Sequence, residues 1–391
     1  MALLNGTAGR AKVAVATVFM ANGFLFASWM SRIPAIRDLL DLSPGGLGLL
    51  LLALSVGSLC GLPTAGWFVQ RWGERRVVQA GALLMTTGVV SAGLAAQAGV
   101  VPWAAASLAV MGFGVGVWDV AMNLEGARVE RLIGRTIMPR FHAGFSLGTV
   151  IGAAGGALAA ALAVTVVLHL LVAAIIALVV ALAGGRAFLG SSHEPRPEVQ
   201  ADASPASAWL EPRTLLIGLM VLALALTEGT ANDWLAVALV DGYDLPDWAG
   251  AAGFAVFVSS MTLGRILGPM LLDRHGRVPV LWATMALAGT GVLLTVLGGS
   301  LWLGLVGALV WGLGASLGFP VGMSAAADDP RRAAARVSVV STIGYTAFLA
   351  GPPLIGFVAE RVGTLDALLV VAVLLVPSAL AVPATRQKRG G

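Results

Sequence analysis

Twelve apolar runs, each about as long as a helix must be to cross a bilayer, take up most of the chain. They lie at 12–31, 45–69, 77–98, 101–124, 140–162, 164–185, 214–240, 249–272, 278–298, 301–324, 337–359 and 365–383. An α-helix rises about 1.5 Å per residue, so about 20 apolar residues cross the hydrocarbon core. The polar segments between runs are too short to form a soluble domain. Of the 391 residues, 58% are hydrophobic and 11% charged, and the mean hydropathy is +0.90. That leaves too little polar surface to cover a water-soluble globule and too much apolar surface to leave disordered. The expected fold is an all-α polytopic membrane protein with 12 transmembrane helices.

Several chemistries are excluded by simple counts. The only lysines, Lys12 and Lys388, sit near the ends, so no phosphate loop with its lysine is present. Cys60 is the single cysteine, and the four histidines are scattered without metal-ligand spacing. Neither a metal nor a cofactor is expected, and no nucleophile–base spacing points to an enzyme. The basic residues are dispersed through short loops, which argues against a nucleic-acid partner.

Those basic residues set an orientation. With the N-terminus inside, 20 of the 24 Lys and Arg fall in inner segments, and three (Arg32, Arg37, Arg361) fall outside. This is the positive-inside pattern for both termini in the cytoplasm and a cytoplasmic (inner) membrane location. The longest polar stretch, rich in Pro, Ser and charge, reads as a linker at 186–213. It separates an N-terminal six-helix bundle at 1–185 from a C-terminal one at 214–391.

The two halves repeat each other. GWFVQRWGERR (66–76) after the second run answers GPMLLDRHGR (268–277) after the eighth, and GFGVG (112–116) answers GLGAS (312–316). The near-constant offset of 200 to 203 points to a duplicated six-helix unit. With these residues in view, the chain resembles the major facilitator superfamily, whose loop signature is G-x-x-x-D-R-x-G-R-R. Gly66, Arg71, Gly73, Arg75 and Arg76 match it, with Gln70 in place of the acid; the second copy keeps Asp273, Arg274, Gly276 and Arg277. Segments such as SWMSRIP (28–34) and WDVAMNLEG (118–126) are similar to a bacterial branch near the fucose-permease-like carriers. The resemblance implies two six-helix bundles around a central cavity, alternating access, and a monomer. It also implies a conformational latch at these two loops, weakened in the first by Gln70. Tight glycine turns there are expected to let helices approach.

Charged groups inside spans are costly, so they mark candidate sites. Glu228, Asp119, His142 and Asp233 are the candidates for proton coupling, with Glu228 foremost. Asn22, Trp29, Asn123, Asn232 and Tyr345 are candidates for the substrate cavity. Asp119 and Asn123 are four apart and share a helix face, as do Glu228 and Asn232. Glu125 and Arg128 are expected to form an i,i+3 pair, Arg265 to pair between helices, and His169 to pack. The expected function is secondary active transport of a small polar organic solute, coupled to protons. The alternatives are a proton-driven efflux carrier for amphipathic drugs or metabolites, and a non-transporting receptor or scaffold.

Overall fold

The computed structural model describes residues 2–134, 137–189, 205–329 and 332–386. Among these residues the chain is helical throughout, with no strand. It divides into two units, one of residues 1–194 with 246–255 and one of residues 195–245 with 256–391. Most of the expected linker, 190–204, lies outside the described residues.

The first unit contains α1 (Ala2–Met30), α2 (Ile33–Leu39), α3 (Pro44–Trp72), α4 (Glu74–Gln97), α5 (Val101–Ile133), α6 (Met138–Ala161) and α7 (Val166–Gly185). Local signals explain several of the starts. Ser43 accepts from the Gly46 amide ahead of α3, and Thr165 accepts from the Leu168 amide ahead of α7. Helix α1 packs on α6 and α7, and α5 packs on α3 and α4. Close approach needs glycine at Gly112, where a Cβ would lie 1.9 Å from the Leu54 carbonyl oxygen.

The second unit contains α8 (Pro205–Ala208), α9 (Pro212–Tyr243), most of α10 (Asp247–His275), α11 (Arg277–Leu297), α12 (Leu301–Ala315) and α13 (Gly318–Ala326). It continues through α14 (Ala333–Val362), α15 (Thr364–Ala367), α16 (Leu369–Ala379) and a 3-10 turn at Val382–Thr385. Here α9 packs on α14, and α11 on α12. The first turns of α10 group with the first unit.

Among the described residues, eleven helices are long and apolar enough to cross a membrane, and Thr364–Ala379 is a shorter apolar pair. Helix α7 displays what such a surface looks like. Its Leu168, Leu171, Val172, Ile175, Ile176 and Val179 are exposed on one stripe that would face lipid. Exposed tryptophans gather near helix ends, among them Trp67, Trp72, Trp103 and Trp302, as at a membrane interface.

Two features differ from the expected spans. Helix α5 runs nine residues past 124, because RVERLI continues the helix beyond the apolar run. The tenth crossing is broken into α12 and α13 at Ser316–Leu317. Pro320 has no amide hydrogen to give to the Ser316 carbonyl four residues back, so that helical hydrogen bond is missing at the break; α3, α10 and α14 run on through Pro63, Pro269, Pro352 and Pro353.

Candidate functional site

In the first unit the candidate site residues lie on α1, α5 and α6. Asn123 Nδ2 donates to the Asp119 backbone oxygen at 2.9 Å and to Asp119 Oδ1 at 3.2 Å. Both residues are half-buried, and Asp119 has no basic partner among the described residues. Asn22 and Trp29 are buried at 2% and 1% exposure, and neither Asn22 Nδ2 nor Trp29 Nε1 has a hydrogen-bond partner. Trp29 thus lies within the packing of the unit. His142 is exposed and sets its ring edge-on to Phe19, with centroids 5.2 Å apart.

The other acids of α5 have structural work. Glu130 Oε2 accepts from the Ile137 and Met138 amides at 2.6 and 2.7 Å, capping the start of α6. Glu125 is fully buried and accepts from the Leu189 amide at 2.7 Å. Arg128 lies 3.6 Å from Glu74. Arg128 thus serves Glu74, which the turn after α3 brings to this position, as well as lying within the field of Glu125.

In the second unit, Glu228 on α9 accepts from Arg265 Nη2 on α10 at 2.9 Å, and Arg265 Nε donates to the Ser316 carbonyl at 3.4 Å. One guanidinium thus ties α9, α10 and the break between α12 and α13. The acceptor on the break is the carbonyl that Pro320 leaves free. Asn232 and Asp233 are half-buried on α9, and Asp233 makes no ion pair among the described residues. Tyr345 on α14 stands with its ring centroid 6.3 Å from Phe319.

The loop motifs divide between turn chemistry and charge. Gly73 and Gly276 have φ of 80° and 78°, left-handed values that glycine adopts without strain; they join α3 to α4 and α10 to α11. Gly66 plays no part in close packing, since a Cβ there would meet nothing within 4 Å. Gln70, Arg71, Arg75, Asp273 and Arg274 are exposed. Asp273 and Arg274 make no ion pair among the described residues. Arg277 donates to Asp328 at 2.7 Å and to Ser324 at 3.0 Å, and Arg213 donates to the other oxygen of Asp328 at 2.8 Å.

Sequence reasoning missed the Glu74–Arg128 and Arg277–Asp328 bridges. The signal was present. Adding 203 to Glu74 gives Arg277, and adding 200 to Arg128 gives Asp328, so the repeat places the same bridge in both units with its charges reversed.

Comparisons with known proteins agree with this architecture. The sequence profile of the Major Facilitator Superfamily matches residues 14–274. An uncharacterised MFS-type transporter of Yersinia pestis is 30% identical over 351 residues, covering 89% of each chain. The crystal structure of the nucleoside transporter NupG superposes with a TM-score of 0.75 at 16% identity, covering 97% of this chain and 100% of that one. A D-xylose–proton symporter superposes with a TM-score of 0.75 at 14% identity, covering 97% and 99%.

Proposed function

Because the chain belongs to the Major Facilitator Superfamily and is a multi-pass membrane transporter, we propose that it carries a small polar organic solute by alternating access, coupled to protons. The cell's cytoplasmic membrane is its place in this reading, with both termini inside, as the distribution of Arg and Lys implies. It acts as a monomer.

The observation that carries the proton is the state of two carboxylates. Asp119 and Asp233 lie in membrane-crossing helices, half-buried, with no basic partner among the described residues. A carboxylate so placed has a proton, rather than a fixed cation, as its available counter-charge. Glu228, foremost in the sequence, is held by Arg265, and that pair must open before the acid can exchange a proton. The coupling role therefore moves to Asp233 and Asp119, with Glu228–Arg265 as the element that joins helices. The amides of Asn123 and Asn232 lie one turn and one residue from these acids, which suits a hydroxylated or otherwise polar solute.

The test is proton uptake by proteoliposomes. Solutes are first screened by their effect on the melting temperature, since a ligand that binds the native state raises it. The best solute should then drive uptake of protons in the wild type. Asp233→Asn or Asp119→Asn should abolish uptake while leaving solute binding measurable. Unchanged proton uptake in both variants would take the coupling role away from Asp233 and Asp119.

A further inference from the structure

Apart from the groups assigned to transport, one pocket holds a cation and an anion, Arg32 and Asp247, that make no direct ion pair among the described residues. It has a volume of about 550 Å³ and is lined by Arg32, Asp38 and Asp247, with apolar walls that include Ala35, Leu39 and Val167. All its lining residues belong to the first unit, Asp247 through the initial turns of α10.

Arg32 lies between α1 and α2 and is only 5% exposed. Its Nη2 donates to the Val164 carbonyl at 2.8 Å, holding the α6–α7 turn in which Ala163 has φ 54°. Its Nε and Nη1 have no partner. Burial lowers the pKa of this guanidinium and Asp247 opposes that shift, so the two charges feel each other without touching. Asp247 is half-buried and makes no ion pair among the described residues. Asp38 is different: it is 56% exposed and already bound by Arg37 at 2.8 Å.

The pocket therefore presents one cation and one anion held apart, within each other's field but not in contact. An anionic ligand would satisfy Arg32 but meet Asp247 and Asp38. A simple cation would do the reverse. A neutral polyol would bring no charge to either group. We propose that this pocket is a binding site for a small zwitterion of the α-amino-acid kind, its carboxylate on Arg32 and its ammonium on Asp247. The apolar walls would then receive a short aliphatic side chain. The site is separate from the carboxylates assigned to proton coupling and does not rest on that reading.

Isothermal titration of the purified full-length protein with glycine and alanine tests this, with acetate and methylammonium as the two halves of the ligand. The zwitterions should bind at least about tenfold more tightly than either half, a difference of about 1.4 kcal/mol. Asp247→Asn should bring glycine down to the level of acetate. Arg32→Gln should bring it to the level of methylammonium, but that variant also releases Val164. Asp247→Asn, with its melting temperature recorded, is therefore the deciding variant. Three outcomes overturn the proposal: no heat with any probe, equal binding of acetate and glycine, or glycine binding that survives Asp247→Asn. Glycine binding lost in Asp233→Asn but kept in Asp247→Asn would place the zwitterion at the transport carboxylates and overturn the pocket.

Discussion

The two units use the same positions for the same jobs and fill them with different chemistry. In the first, Glu74 at the start of α4 meets Arg128 on α5; in the second, Arg277 at the start of α11 meets Asp328 just past α13. The bridge is kept and its sign is inverted. Helix α5 is unbroken through Val120, whereas the equivalent crossing stops at Ser316, four residues before Pro320. Where the first unit has the apolar Leu62, the offset of 203 puts Arg265 in the second, and that arginine occupies the carbonyl which the break exposes. The repeat thus conserves geometry, and each half spends its charges differently. The second unit joins Glu228 and Arg265 in mid-helix, and the first has Leu62 where that arginine would stand.

The largest expected effect comes from moving the break. Val120→Pro would remove a hydrogen bond from the middle of α5 and force its ring against the preceding turn, at a cost of about 3 kcal/mol or more. Thermal unfolding in detergent should show a large drop or no folded protein. Pro320→Ala should be tolerated, and spin labels on α12 and α13 should then report a straighter crossing. Equal responses to the two changes would mean that proline is not what distinguishes the halves.

Arg265→Ala comes next. It leaves Glu228, whose side chain is 19% exposed, without its cation in a span. A fully buried broken pair costs about 3–5 kcal/mol, and partial exposure reduces this to roughly 2 kcal/mol. Arg265→Lys should recover part of the loss in melting temperature. A neutral result for Arg265→Ala would show that the pair contributes nothing to the folded state.

The inverted bridges offer a finer comparison. Glu74→Arg alone should cost about 1 kcal/mol through like-charge contact, and adding Arg128→Asp should restore it. The same swap in the second unit, Arg277→Glu with Asp328→Arg, should fail to recover, because Asp328 also accepts from Arg213. A double-mutant cycle in each unit measures the difference.

The smallest effect expected is a pH dependence at one end of α9. Glu211 accepts from Thr214, Arg332 and Arg336. Burial pushes its pKa up, but these partners outweigh it and hold the carboxyl below its usual 4.5. A group with a lowered folded pKa gives up its proton more readily when folded. Its stabilisation is therefore complete above pH 4.5 and fades as pH falls through the folded value. Glu211→Gln should flatten the acid limb of the stability profile. An unchanged limb would show that these contacts do not persist in solution.

Much of the fold was legible because lipid imposes a length on every crossing, and the twelve runs could be cut on that alone. Helix ends were less so. RVERLI is too polar to read as part of a crossing, yet its helical hydrogen bonds continue to Ile133 outside the apolar length. Pro320 stood in plain view within an apolar run, but whether a proline kinks or breaks a helix depends on what takes the released carbonyl. That is Arg265, 55 residues away in the chain. Asp119 with Asn123 could be placed on one face from spacing, since a helix turn is local. Arg32 could only be read as a loop charge, because its burial is supplied by the α6–α7 turn, far off in sequence.

The break at Ser316 gives Arg265 a second attachment of a different kind. The last carbonyls of α12 form the negative pole of a half-helix, and a cation there is favoured by the dipole whether or not a carboxylate is near. If Glu228 were neutralised, the arginine would still be moored to α12 on one side. Only α9 would be released. The contact is in effect a hinge pin fixed at one end, and the direction in which it can let go is set by an amide hydrogen that Pro320 does not have.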